Sequence, residues 1–147
     1  MDEYLRPLAA QLPSHVRDTT DFLTRLRKLG HLLAGCLLAT PDVSSPYINI
    51  DTDVGLEVIE QELNKTRQNK PSPKTLTAIL EKVLKMNNFT FRDENILQVK
   101  GTAVGTRVAP NFANVYMGHF EEIYVYNTEW SRYLTDWIRF IDDIFLV

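Results

Sequence analysis

Apolar residues along this chain recur first at helical spacing and later in the alternation of strands, and the two regimes divide it. Residues 2 to 12 place Tyr4, Leu5, Leu8 and Leu12 on one side of a short helix that contains Pro7 and ends at Pro13. A second helix is capped by Asp18 or Thr20, carries Phe22, Leu23, Leu26 and Leu29, and stops at Gly30. Arg25, Arg27 and Lys28 on its other face read as a solvated face before they read as phosphate contacts. Residues 34 to 43 form an apolar run closed by Thr40, Pro41 and Asp42, which predicts a buried central strand whose polar end emerges at the edge of a sheet. A carboxylate at such an end must be solvated, paired or metal-bound, although Asp between prolines such as Pro41 and Pro46 also starts turns.

Beyond Ile50, a cap at Asp51, Thr52 or Asp53 starts a helix to about Arg67, with Leu56, Ile59 and Leu63 as its apolar stripe. Residues 65 to 74 are basic and proline-containing, a solvated linker or a nucleic-acid patch. Ser72 and Pro73 open a further helix, with Leu76, Ile79, Leu80, Val83 and Leu84 facing a core as far as Asn87. The period then changes. Phe89 to Arg92 and Ile96 to Lys100 alternate as a hairpin around a turn at Asp93, Glu94 and Asn95. Gly101 and Gly105, followed by Pro110 at the first turn of a helix, suggest a backbone that something approaches closely. That helix runs to about Asn127 on Phe112, Val115, Tyr116, Ile123 and Val125, and Trp130 to Tyr133 fits helix or loop. From Trp137 to Val147 two adjacent aspartates, Asp142 and Asp143, stand between apolar runs, a hairpin with carboxylates at its turn.

Composition narrows the class. With 147 residues, 44% hydrophobic and 24% charged, the chain fits one soluble domain. The longest apolar run, Leu32 to Ala39, is too short to span a membrane, and no basic-then-apolar leader opens the chain, so it reads as intracellular with no membrane partner. Cys36 is alone, and His15, His31 and His119 are too dispersed for zinc spacing. A net charge of −3 argues against a whole-surface nucleic-acid binder. It does not exclude one, since a metal-dependent polymerase concentrates carboxylates in its catalytic module while neighbouring modules can supply the Lys and Arg that neutralise phosphates. Two-metal phosphoryl transfer needs carboxylates from separate strands around cations roughly 3.5–4 Å apart. If the strand ending at Asp42 lies beside the closing hairpin, Asp42 and Asp142 meet at one edge, with Asp143 approaching from the turn.

Three segments in order resemble the reverse transcriptases, and among them the Penelope-like retroelement branch. Asp42-Val43-Ser44-Ser45-Pro46-Tyr47-Ile48-Asn49-Ile50 resembles the first catalytic motif of that family. Gly101-Thr102-Ala103-Val104-Gly105-Thr106-Arg107-Val108-Ala109-Pro110, with Ala113-Asn114, resembles the second, and Arg139-Phe140-Ile141-Asp142-Asp143 the third. Residues 12 to 23 are similar to the lead-in to the palm.

The resemblance implies an α+β fold, a polymerase palm-type antiparallel sheet packed against helices with part of the fingers, truncated before the thumb. Residues 1–33 would be a helical lead-in and 34–147 the palm. It implies RNA-directed DNA polymerase activity, with Asp42, Asp142 and Asp143 as catalytic carboxylates. These and Val43 would be ligands of two Mg²⁺ ions, with Mn²⁺ as a substitute. Val43, Tyr47, Gly101, Gly105, Pro110, Asn114 and Phe140 would contact substrate, Tyr47 as the gate against a ribose 2′-hydroxyl and Phe140 near the primer end. Implied partners are an RNA template, a DNA primer and deoxynucleoside triphosphates, with a nuclear location and with thumb and endonuclease modules in a full-length relative. Pro46 stands where the family has Leu and lacks one N–H that would hold the triphosphate. The alternative is a catalytically dead retroelement relic, kept as a binding or interaction module.

Overall fold

The computed structural model describes residues 1–66 and 70–147. Three of its helices start where capping side chains satisfy the first free backbone N–H groups. Helix α1 spans Asp2–Ala10. The Asp18 carboxylate accepts from the Asp21 amide and opens α2, Thr19–Leu29. A short α3, Pro46–Asn49, precedes α4, Thr52–Lys65, which is capped by Asp51 through the Asp53 and Val54 amides. Ser72 accepts from the Thr75 amide and opens α5, Pro73–Lys85. Helix α6, Ala109–Glu121, continues into one π turn, Glu122–Tyr126, and a 3-10 turn follows at Glu129–Tyr133. The expected single helix to Asn127 thus changes its winding at Glu122. Strands β1, Asn88–Phe91, and β2, Glu94–Leu97, form one antiparallel pair, and β3, Trp137–Phe140, and β4, Asp143–Leu146, another. The fold is α+β, about half helical.

The core lies between α1, α4, α5 and α6. Leu5 and Leu8 of α1, Ile59 and Leu63 of α4, Leu80 of α5 and Phe112 of α6 are buried in one cluster. Each such side chain contributes about 1.5–3 kcal/mol on burial. Gly55 lets α4 and α6 meet, because a Cβ there would run into the Phe112 ring. Helix α5 buries a narrow stripe, Leu76, Leu80 and Leu84, while Ile79 and Val83 of the expected core face are exposed. Spacing of i and i+4 on one neighbouring helix leaves the i+3 positions to solvent.

The sheet departs from expectation in three ways. It consists of two separate hairpins rather than one sheet. The first hairpin turns at Arg92 and Asp93, both at positive φ (50° and 64°), so its loop is the two-residue kind and β2 begins already at Glu94. The run from 34 to 43 is not a buried strand: Leu37 and Leu38 are 82% and 59% exposed. It lies along the outer edge of β4, partnered on one side only, through bridges of Ala39 to Leu146 and Asp42 to Asp143. On the far side of the hairpin, Ser14 to Val16 runs beside β3: the Arg139 amide donates to Ser14 O at 2.8 Å and the Val16 amide to Arg139 O at 3.1 Å. The order across this small sheet is therefore 14–16, β3, β4, 39–43. The expected helix end at Arg67 and the middle of the basic loop lie outside the described residues. No helix among the described residues is long and apolar enough to cross a membrane.

Candidate active site

The β3–β4 register pairs Arg139 with Ile144 and Phe140 with Asp143, leaving Ile141 and Asp142 as the turn. Ile141 sits at φ +56°, a left-handed conformation that β-branched residues avoid. Asp42 faces Asp143 across an antiparallel bridge, and the Val43 amide donates to Asp142 O at 3.0 Å. Side chains directly opposite in such a pair project to the same face. Accordingly Asp42 and Asp143 line one cleft of about 580 Å³ with Phe140, walled by Phe22 and Phe145. Asp142 does not line that cleft; its charge acts on the Tyr47 phenol, whose pKa is raised by burial first and by Asp142 second.

The three aspartates therefore share a backbone locus without closing into a cage. Among the described residues no group of three His, Cys, Asp or Glu side chains is placed to hold a metal ion. A magnesium site on the Asp42–Asp143 pair fits the donor chemistry, since Mg²⁺ is commonly held by one or two carboxylates plus waters and substrate phosphates.

The glycine turn is already occupied by the chain itself. Gly101, at φ +74°, lies against the backbone of α3, so that a Cβ would meet Tyr47 O and lie 2.8 Å from Ile48 Cα. The Thr102 amide donates to Tyr47 O at 2.7 Å. The close approach expected of a ligand at Gly101 is thus made by the Tyr47 and Ile48 backbone, and it fixes the half-buried Tyr47. Gly105 has open space around it, and the half-buried Pro110 is in the first turn of α6. Pro46 is buried at the first position of α3, where its missing N–H loses no helical bond.

Asn114, expected on the substrate, is only 4% exposed, and both its carbonyl oxygens are taken by Arg139. Arg139 itself was not among the expected site residues. It is fully buried with Glu121, their Nε and Oε1 2.6 Å apart. Its Nη1 donates to Asn114 Oδ1 at 2.7 Å and to Ile141 O at 3.0 Å, and its Nη2 to Asn114 O at 3.2 Å. Ser14 Oγ donates to Glu121 Oε2 at 2.6 Å and Trp137 Nε1 to Glu121 Oε1 at 2.9 Å. The signal in the sequence was a lone charge inside an apolar strand, which must find a partner if buried. Arg25, read as solvated, is instead clamped: its Nε donates to Asp136 Oδ2 at 2.8 Å and its Nη2 to Trp137 O at 3.2 Å. The hydrogen bond to Asp136 raises the pKa of Arg25. Nearby, burial and then the charge of Glu121 push the Tyr126 phenol up to about 12.

No protein-family model matches the chain, and no curated protein matches it. Among solved structures it is similar to apo telomerase from Candida tropicalis truncated from its C-terminal domain, with a TM-score of 0.71 and 12% identity. The match covers 98% of this chain and 32% of the telomerase chain, so the present chain spans about a third of that protein. At this identity the likeness shows a shared fold alone.

Proposed function

We propose that the chain is the fingers-palm part of an RNA-directed DNA polymerase, extending a DNA primer on an RNA template with deoxynucleoside triphosphates. The observation that carries the reading is the bridge between Asp42 and Asp143, which sets carboxylates from two distant segments side by side at the tip of a hairpin. The fold shared with telomerase, a reverse transcriptase-family enzyme, supports it. The order of the three motifs supports a source in the Penelope-like branch, and with it a nuclear location.

In this reading Asp42 and Asp143, with the Val43 carbonyl, would hold Mg²⁺, and Asp142 on the adjoining turn would be the third carboxylate of the site. The chemistry that Mg²⁺ supplies when bound is activation of a primer 3′-hydroxyl and stabilisation of the leaving pyrophosphate. Tyr47, held by Gly101 and Thr102 from behind, presents its ring against the sugar and excludes a 2′-hydroxyl. Phe140, 43% exposed beside Asp143, packs on the primer end. Gly105 supplies the open backbone of the second motif.

Primer extension on an RNA template with Mg²⁺ tests this, run on the chain and on a form extended through a thumb, each with and without Asp142→Asn. Extension by the unsubstituted long form and a loss of about 10³-fold or more in Asp142→Asn is expected, since the carboxylates of such a site hold the cation that neutralises transition-state charge. Equal rates with and without the substitution, or no extension by either length, would reject the polymerase reading in favour of a non-catalytic relic.

A further inference from the structure

The Ile141–Asp142 turn that presents the aspartates is unfavourable in itself. A β-branched residue at φ +56° persists only where surrounding contacts over-determine it. The contact that reaches this peptide from below is a guanidinium. Arg139 Nη1 donates to Ile141 O, two residues along the same chain, and every other acceptor of its fork is on α6. Glu121 is held in turn by Ser14 Oγ and Trp137 Nε1, so the guanidinium has little freedom to move. Glu121 stands at the last position of α6, where the helix gives way to the π turn, a winding change frequent at functional sites.

A buried ion pair is weak grounds for stability, because desolvation offsets the attraction. Its value here is geometric. We propose that Arg139 is a positioning residue: its guanidinium, oriented by Glu121 and Asn114, locks the Ile141 carbonyl and thereby sets the Asp142–Asp143 turn against Asp42. The role in catalysis rests on the polymerase reading above; the effect on the turn does not. Lysine cannot replace it, since a compact ammonium cannot serve Glu121, Asn114 and Ile141 together.

The Val43 amide is the reporter, because its hydrogen bond to Asp142 O exists only while the turn is in place. Hydrogen exchange is followed at Val43 and at the buried core residue Ile59 in the parent, in Arg139→Lys and in Arg139→Met/Glu121→Met. The double variant removes both charges, so that no unpaired ion is left inside, and Arg139→Lys keeps the charge should the double variant fail to fold. The expected result is Val43 exchange faster by about tenfold or more with Ile59 unchanged. Unchanged Val43 exchange in either folded variant overturns the proposal, and so does an equal rise at Val43 and Ile59, which assigns Arg139 to general stability. In a primer-extending form, Arg139→Lys should lower kcat by about tenfold while the triphosphate KM stays within about twofold, the split expected when transition-state alignment alone is lost. No extension by the parent or by its thumb-extended form, with the exchange result as expected, rejects the polymerase reading and leaves the turn assignment standing.

Discussion

Gly101 combines two demands that only glycine meets: a φ of +74° and the backbone of Ile48 2.8 Å from where a Cβ would stand. Gly105 has the first demand, at φ +102°, without the second, since nothing lies within 4 Å. Gly101→Ala should therefore destabilise by about 2–4 kcal/mol, backbone strain plus overpacking against α3. Gly105→Ala should cost only about 1–2 kcal/mol, from the backbone alone. Urea denaturation of both variants checks this, and equal losses would show that contact with α3 contributes nothing. At this scale the sequence made part of the site legible. Asp42, Asp142 and Asp143 stood out as candidates only in combination with the glycine turn, because an aspartate at the end of an apolar run also starts turns. The glycines announced a close approach but not its source, because spacing does not say whether a ligand or the chain's own backbone makes the contact. Arg139 stayed hidden for a related reason. Its partners Glu121 and Asn114 are 18 and 25 residues away on another element, and no local pattern couples them.

Helix α2 illustrates how an element predicted with the right bounds can be docked by contacts of another kind. Asp18 and Gly30 mark its ends as capping rules require, yet none of its residues is fully buried. Its apolar stripe makes one ring contact, Phe22 edge-on to Phe145 with centroids 5.5 Å apart. The other attachment is Arg25, which ties the helix to Asp136 and to the backbone of Pro13 and of Trp137 at the start of β3. Side chains here are 26% and 15% exposed, so water screens the pair only partly. Arg25→Met should cost about 1–3 kcal/mol, the range for hydrogen bonds to a charged group. It should also raise protease cleavage within 19–29 well before cleavage within α4. Cleavage that rises equally in both helices would mean that Arg25 stabilises the whole molecule rather than the docking of α2. The run from 34 to 43 failed in the opposite sense. Its hydrophobicity suggested a central strand, but periodicity cannot tell a run covered on both faces from one laid along an edge.

Across the whole molecule, the small sheet is assembled from segments far apart in the chain, and its outermost member on the β3 side carries His15. The His15 backbone bridges Arg139, and its Nδ1 is buried without a partner. Burial, and after it the positive charge of Arg139, lowers its pKa below the ordinary 6.5; Arg17 acts the same way, while Asp21 and Glu121 oppose it. The folded state thus takes up a proton less readily than the unfolded chain does. The stability at stake is fully present above the unfolded value of 6.5 and is lost as pH falls through the depressed folded value. As pH falls below about 6.5 the free energy of unfolding should decline, by no more than about 1.4 kcal/mol per pH unit for one proton. His15→Asn, which does not titrate, should flatten that limb of the curve. The loss should first appear where His15 pairs, as faster exchange of the Val16 and Arg139 amides, while Ile59 in the helical core stays protected. Acid would then open the sheet from the side opposite Asp42. A decline of equal slope in His15→Asn would trace the acid sensitivity to other groups.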